Sequence, residues 1–116
     1  MTLSGCNVTL FSDCRKVAGR FCLEKWEDNQ TFYLDGPFER NGGGYLGGAV
    51  SSIGWNGQYI IAERQENVGS DGDGWMVVDI RDETMTGPFS KDQILRKRES
   101  QGAIFHTAAV AWKNLN

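Results

Sequence analysis

The chain has 116 residues and a formal net charge of −3, with 40% hydrophobic and 23% charged residues. This length fits one domain, and the charge balance indicates neither disorder nor a polyanionic partner, so nucleic-acid binding is not expected. No apolar run reaches the roughly 18 to 20 residues that a membrane-spanning helix needs. Fifteen glycines, four tryptophans and two prolines favour strands joined by tight turns.

The first six residues, MTLSGC, contain a candidate lipid-attachment site. Leu3, two small residues and Cys6 form the pattern that bacterial lipoprotein signal peptidase recognises, after which the cysteine carries lipid. The cationic and apolar parts of a signal peptide do not precede Leu3, so we expect the natural precursor to have further residues upstream. On this interpretation, residues 1–13 are a lipobox remnant and a tether, and residues 14–116 are a single globular β-rich domain.

The three cysteines lie in the first fifth of the chain, and an odd number leaves one without a partner in an exported protein. Lipidation of Cys6 removes the odd cysteine and leaves Cys14 and Cys22 free to form a disulfide. The alternative is a cytosolic protein with three reduced cysteines and a chance LSGC. Zinc is not favoured, because seven residues separate successive cysteines instead of about two to four.

The next segments predict two hairpins with a glycine-rich stretch between them. Residues 20–27 and 31–35 are rich in aromatic and aliphatic side chains, and a polar run separates them. The stretch NGGGYLGG, residues 41–48, must be a loop or a close backbone crossing, because its glycines cannot hold a strand or helix cheaply, and we interpret it as a flexible connector. Residues 50–55 and 58–63 then flank Asn56-Gly57, which is typical of a type I′ turn with positive φ at both positions.

The segment WMVVDI, residues 75–80, predicts a strand in which Met76, Val78 and Ile80 share one face. A turn over residues 81–84 leads to a return strand, and Pro88 restricts that strand to a short or edge position because proline cannot donate to a ladder.

Two helices are predicted after this strand. Ser90 and Gln93 form a capping box that opens a helix through about Glu99, closed near Gly102. A second helix carries one apolar stripe, formed by Ala108, Ala111, Trp112 and Leu115. The pattern as a whole predicts an α+β domain, with an antiparallel β meander of about six strands in three hairpins and one or two short C-terminal helices.

Candidate chemistry is sparse. Residues 42–47 match G-x-G-x-x-G, but no βαβ unit surrounds them, so no dinucleotide cofactor is expected. Asp71 and Asp73, with Glu66, are weak candidates for calcium, because the acidic pattern stops after two carboxylates and suits a turn. The single histidine, His106, has no evident orienting acid, so we predict neither an enzyme nor a cofactor. We expect the tryptophans in the core rather than on a sugar-binding face, namely Trp26, Trp55, Trp75 and Trp112.

The stretches IGWNGQYIIAERQ (53–65) and GWMVVDIRDETMTGPFS (74–90), with the capped helix after them, carry a resemblance to a known family. They resemble small uncharacterised bacterial lipoproteins of the DUF3997 kind, in which a strand ending in Asp, a turn, a Gly-Pro-aromatic return and a short helix recur. The resemblance implies a lipoprotein and carries over no activity and no site residues.

Two functional hypotheses follow from these patterns. The first is a non-catalytic domain, held by lipid in the periplasm or cell envelope, that acts as a binding or envelope-structural module. The second is a periplasmic immunity protein that inhibits a secreted toxin enzyme, which the small size and acidic charge also fit. The expected partners are therefore the membrane, through the lipid anchor, and a protein that is either an envelope component or a toxin. A toxin gene immediately upstream would favour the second hypothesis.

Overall fold

The computed structural model describes residues 13–37, 44–65 and 73–115, which form two antiparallel sheets and two short helices. A short 3₁₀ helix, Arg98–Ser100, lies between the helices. The strands are β1 (Asp13–Ala18), β2 (Phe21–Lys25), β3 (Phe32–Asp35), β4 (Ala49–Trp55), β5 (Tyr59–Gln65), β6 (Gly74–Asp79), β7 (Thr84–Phe89) and β8 (His106–Thr107), and the helices are α1 (Lys91–Arg96) and α2 (Ala108–Asn114).

The strands divide into a three-stranded sheet of order β1-β2-β3 and a five-stranded sheet of order β7-β6-β5-β4-β8. The α+β class, the antiparallel pairing and the short C-terminal helices are confirmed, but a single meander of six strands is wrong. The pattern missed β1 because its central residues are polar, and it missed β8 because that strand has only two residues. In the five-stranded sheet β7 is an edge strand, as Pro88 predicted.

The main core lies between the two sheets. Met76 and Val78 of β6 belong to it and Ile80 packs against it, so the predicted common face is confirmed. The intervening residues Trp75 and Val77 point to the opposite face, where they form a second cluster with Ile61 and with Ile94 of α1. Both faces of the five-stranded sheet are therefore covered, which explains the unbroken apolar run in β6. The buried residues contributed to the main core by the other strands and by α2 include Phe21, Leu23, Phe32, Leu34, Ile53, Ile60, Ala108, Ala111 and Trp112.

The described part of the glycine-rich stretch, residues 44–48, is a packed turn. The interpretation as a flexible connector is therefore wrong, and the alternative of a close backbone crossing is confirmed. Tyr45 and Leu46 are fully buried, and the Tyr45 amide donates to the Leu34 carbonyl oxygen at 2.7 Å. Gly44 has φ +72°, and a Cβ there would lie 2.7 Å from that same oxygen. Two apolar side chains between the glycines dock this segment in the core. Residues 41–43 lie outside the described residues.

The hairpin of β4 and β5 is confirmed, but its turn is not type I′. Neither Asn56 nor Gly57 has positive φ. Instead the Asn56 side-chain oxygen accepts from the amides of Gln58 and Tyr59 at 2.9 and 2.8 Å. The asparagine thus replaces the backbone geometry expected of the dipeptide with a side-chain hydrogen-bonded turn.

The first helix begins as predicted and ends earlier. Ser90 and Gln93 form both halves of the capping box. The helix stops at Arg96 instead of continuing to Glu99, and the Ser100 hydroxyl shares its one hydrogen between the carbonyl oxygens of Ile94 and Lys97, at 2.6 and 2.9 Å. These bonds satisfy carbonyls at the helix end and favour the 3₁₀ helix that follows.

The second helix shows the predicted apolar stripe. Ala108, Ala111 and Trp112 are buried and Leu115 packs against the same core, so the stripe is confirmed. The Thr107 hydroxyl caps the helix by accepting from the Val110 amide. Within the described part of the chain, no helix is long and apolar enough to cross a membrane.

The tryptophans do not all lie in the core. Trp75 and Trp112 are buried and Trp55 packs against the main core, but Trp26 is 45% exposed. Trp26 lies in the turn between β2 and β3, where its ring contacts Tyr33 with the centroids 5.2 Å apart. The core position predicted for Trp26 is therefore wrong, because the turn places this side chain outside both apolar clusters.

Candidate functional site

The predicted disulfide between Cys14 and Cys22 is confirmed. Cys14 lies opposite Glu24 and Cys22 lies opposite Lys16, so the two cysteines are diagonal neighbours on β1 and β2, with their Cα atoms 5.6 Å apart. Both are half-buried. The disulfide is compatible with a location outside the cytoplasm, where such bonds persist.

Asp35 lies beside the disulfide, because it pairs with Cys22 across β2 and β3. Its carboxylate and the two sulfur atoms lie within 4.8 Å of one another. Metal binding by cysteine needs the thiolate, and sulfurs joined in a disulfide cannot supply it. The cluster is therefore a disulfide with an acidic neighbour, and it is not a metal centre in the oxidised protein.

The N-terminal strand is joined directly to the last helix. The Arg15 guanidinium donates to the carbonyl oxygens of Trp112 and Leu115 at 3.0 and 2.9 Å. It also lies 3.5 Å from the centroid of the Trp112 ring, and the Lys25 ammonium lies 4.0 Å from it. Two cations on one indole, one of them bound to the last carbonyls of α2, hold this helix against the three-stranded sheet.

A bidentate ion pair connects the two sheets at another point. The Arg20 guanidinium donates to both carboxylate oxygens of Glu83, each at 2.7 Å. These hydrogen bonds lower the pKa of Glu83, and the same contact raises the pKa of Arg20. The Tyr45 hydroxyl donates to the Glu83 carbonyl oxygen at 2.6 Å. This arrangement binds the packed glycine turn to the loop before β7.

The residues considered for metal binding or catalysis do not converge in the described structure. Asp73 is exposed just before β6, whereas Asp71 and Glu66 lie outside the described residues. His106 is exposed on the edge strand β8, and no side chain in the described ranges forms a hydrogen bond with its imidazole. Cys6, the candidate lipidation site, also lies outside the described residues.

The prominent surface depressions are open, and charged side chains lie among the residues that line them. The larger of two prominent ones has a volume of about 530 Å³ and lies at the end of the sheet near Trp75 and Phe89, with Glu63, Asp73 and Lys91 on its rim. Another, of about 410 Å³, lies beside the β4–β5 turn. Deep apolar pockets that enclose most of a ligand are typical of small-molecule sites. These shallow surfaces are better suited to contact with a larger partner.

The sequence analysis overlooked a group of basic side chains on and after α1. Lys91, Arg96 and Arg98 are exposed, and Leu95 between them is 61% exposed. The signal was present in the sequence, because KDQILRKR contains four basic residues and one acidic residue. No protein-family model, curated protein or solved structure matches the chain. Proposals about function therefore rest on the residues and contacts described above.

Proposed function

We propose that this protein is a non-catalytic bacterial domain that acts outside the cytoplasm, is held to a membrane by lipid on Cys6, and serves as a binding or envelope-structural module. The observation that carries the proposal is the Cys14–Cys22 disulfide. It uses two of the three cysteines and leaves Cys6, within LSGC, as the one available for acylation. The resemblance to DUF3997-type lipoproteins supports the same assignment.

The described surfaces favour a role in binding rather than catalysis. Acid–base and nucleophilic chemistry require side chains in mutual contact, with one orienting another. The single histidine stands on an exposed edge strand, and the half-buried cysteines are bonded to each other. The open depressions and the exposed basic group instead offer broad contact surfaces. A lipid-anchored adaptor or structural subunit of the envelope fits these features.

Lipid attachment also suits the physical requirements of the domain. Each buried methylene of an acyl chain contributes about 0.8 kcal/mol, so two or three chains hold a small domain on a bilayer. The first described strand begins at Asp13, a short distance along the chain from Cys6. Anchoring at Cys6 would keep the folded domain close to the headgroups.

The test is expression of the full precursor in its native host, followed by membrane fractionation. We expect wild-type protein in the membrane fraction, and we expect Cys6→Ala to be released or to remain as uncleaved precursor. The Cys14→Ser/Cys22→Ser variant is the matched control, because it removes cysteines without touching the lipobox and should stay with the membrane. Wild-type protein that is soluble in the cytoplasm would contradict the proposal.

Mass spectrometry after non-reducing digestion provides an independent test. We expect a peptide linked through Cys14 and Cys22, and an N-terminal peptide in which Cys6 carries diacylglycerol. A disulfide that includes Cys6 would exclude lipidation at that residue and overturn the proposal.

A further inference from the structure

The charges of the chain are unevenly distributed. Residues 91–98 contain four of the 12 basic residues and one of the 15 acidic residues, so this segment has a net charge of +3 in a chain of net charge −3. Lys91, Arg96 and Arg98 are exposed. Lys97 is half-buried, with its ammonium 4.2 Å from the centroid of the Phe89 ring. The segment therefore presents a fixed patch of positive charge.

Ion pairs among the described residues do not account for these cations. The ion pair between described side chains is Arg20–Glu83, and none joins a described acidic residue to Lys91, Arg96 or Arg98. Arg96 in the last turn of α1 complements the helix dipole. Lys91 lies in the first turn, where a cation is disfavoured by the dipole. Stabilisation of the helix therefore does not explain the whole group.

An exposed leucine lies among the same cations. Ile94 is buried and fixes α1 on the five-stranded sheet, while the adjacent Leu95 is 61% exposed. Lys91 and Leu95 are four residues apart in one helix, which makes them neighbours on its surface. Basic residues around an exposed aliphatic side chain are the composition of helices that bind at the membrane interface.

We propose that Lys91, Leu95, Arg96 and Arg98, here called the α1 surface, bind the anionic phospholipid headgroups of a bilayer. The exposed leucine favours lipid over nucleic acid, because it can enter the headgroup region but gains nothing from a phosphate backbone. The acidic remainder of the chain does not prevent this contact, since charges are screened beyond about 8 Å at physiological salt. Each basic residue near such a surface strengthens binding about fivefold.

The proposal rests on the proposed function in one respect: a lipid on Cys6 would bring the α1 surface to the bilayer. Binding by the α1 surface does not itself require the acyl chains. The test therefore uses the full chain with Cys6→Ser, which cannot be acylated. The vesicles are either pure phosphatidylcholine or phosphatidylcholine in which phosphatidylglycerol makes up about a third of the lipid. Failure of this experiment leaves the fractionation result for Cys6 unaffected, and a failed fractionation leaves this binding result unaffected.

We expect sedimentation with the phosphatidylglycerol vesicles at low salt, and loss of binding in pure phosphatidylcholine or at high salt. Lys91→Gln/Arg96→Gln/Arg98→Gln should weaken binding about 100-fold, and Leu95→Ala should weaken it about fivefold. The matched control is Lys16→Gln/Arg81→Gln/Lys113→Gln, which removes three exposed cations elsewhere and should bind like the parent. Circular dichroism spectra of all variants exclude unfolding as the cause.

Three results would overturn the proposal. Equal binding to both kinds of vesicle would show that headgroup charge is not recognised. Equal losses in the α1 variant and the control would show that only net charge matters. Binding to a single-stranded oligonucleotide with the same dependence on the α1 cations, without binding to vesicles, would assign the surface to a nucleic acid.

Discussion

Two connections that the sequence marks with glycine differ in what the glycine does. In the β4–β5 turn, a Cβ on Gly57 would meet no atom within 4 Å. In the connection over residues 44–48, a Cβ on Gly44 would lie 2.7 Å from the Leu34 carbonyl oxygen, and φ at Gly44 is +72°. Gly57 therefore faces open space, whereas Gly44 lies against the backbone of β3 in the three-stranded sheet.

The comparison shows that a glycine becomes necessary through its surroundings and its backbone angle. Asn56-Gly57 has the composition of a type I′ turn, yet the asparagine side chain makes the turn with ordinary φ values. Gly44 has no recognisable turn motif around it, yet it precedes two fully buried side chains. The position that looks dispensable in the sequence is the one that the fold requires.

The largest expected effect is that of Gly44→Ala. Alanine at positive φ costs roughly 1–2 kcal/mol, and contact with a backbone oxygen adds to this, so we expect a loss of about 3 kcal/mol in the free energy of unfolding. Gly57→Ala, the matched control, should change it by less than about 0.5 kcal/mol. Urea unfolding of the two variants measures both. Equal losses would show that the two connections do not differ as described.

The disulfide should stabilise the 44–48 connection more than the 56–58 turn. It links β1 to β2 in the three-stranded sheet, and the 44–48 connection packs on that sheet. Removing it by Cys14→Ser/Cys22→Ser should cost about 2–3 kcal/mol and leave the five-stranded sheet folded. Hydrogen exchange then separates the regions. We expect the Tyr45 amide, bonded to Leu34, to exchange faster by a larger factor than the Tyr59 amide, bonded to Asn56. Equal acceleration of both amides would contradict this.

An intermediate effect is expected at Asn56. Its side-chain nitrogen Nδ2 donates to the carbonyl oxygens of Glu99 and Gln101 at 2.8 and 2.9 Å. Asn56→Ala should cost about 1–2 kcal/mol through these lost hydrogen bonds. Asn56→Asp tests the reason, because it preserves the turn acceptor but loses both donors and places a carboxylate near carbonyl oxygens. We expect aspartate to be as damaging as alanine in thermal unfolding. If Asn56→Asp kept nearly the wild-type stability, the hydrogen bonds that Asn56 donates to Glu99 and Gln101 would contribute little, and only its role in the turn would remain.

The smallest effect concerns Glu83, which accepts from Tyr45 and is paired with Arg20. Its pKa is lowered in the folded state by the hydrogen bonds from Arg20. The pair therefore stabilises the protein fully above the ordinary glutamate pKa, and that contribution disappears as the pH falls through the lower, folded value. Glu83→Gln should flatten the acid limb of the stability profile, whereas Glu27→Gln, at an exposed turn position, should leave it unchanged. An unaltered limb in Glu83→Gln would show that the pair contributes nothing.

Local signals in the sequence were sufficient for much of the fold. Ser90 and Gln93 interact within four residues, and Met76, Val78 and Ile80 follow the period of a strand, so both patterns are readable without tertiary contacts. The division into two sheets was not predictable, because it depends on where the 44–48 connection docks. The burial of Tyr45 against Phe21, with ring centroids 5.0 Å apart, is such a long-range contact.

The candidate site was predictable to a similar, partial extent. Pairing of Cys14 with Cys22 followed from an odd count of cysteines and was confirmed. The α1 surface was overlooked, although its charges are visible in the sequence, because whether a basic run is exposed and unpaired depends on the packing of Ile94 and on the distance to acidic groups. The composition of residues 91–98 shows their positive charge, but only the fold shows that these side chains are exposed.

The contact of Arg15 with the carbonyl oxygens of Trp112 and Leu115 spans about a hundred residues of sequence. Strands β1 and β2 can pair as soon as residue 25 has been synthesised, but Arg15 and Lys25 have no indole to receive them until residue 112 has been made. The first hairpin can therefore pair locally, but these two cations reach their indole only when α2 is present. Docking of α2 thus completes the packing of the first hairpin, so shortening the chain before residue 112 should weaken a hairpin about a hundred residues away.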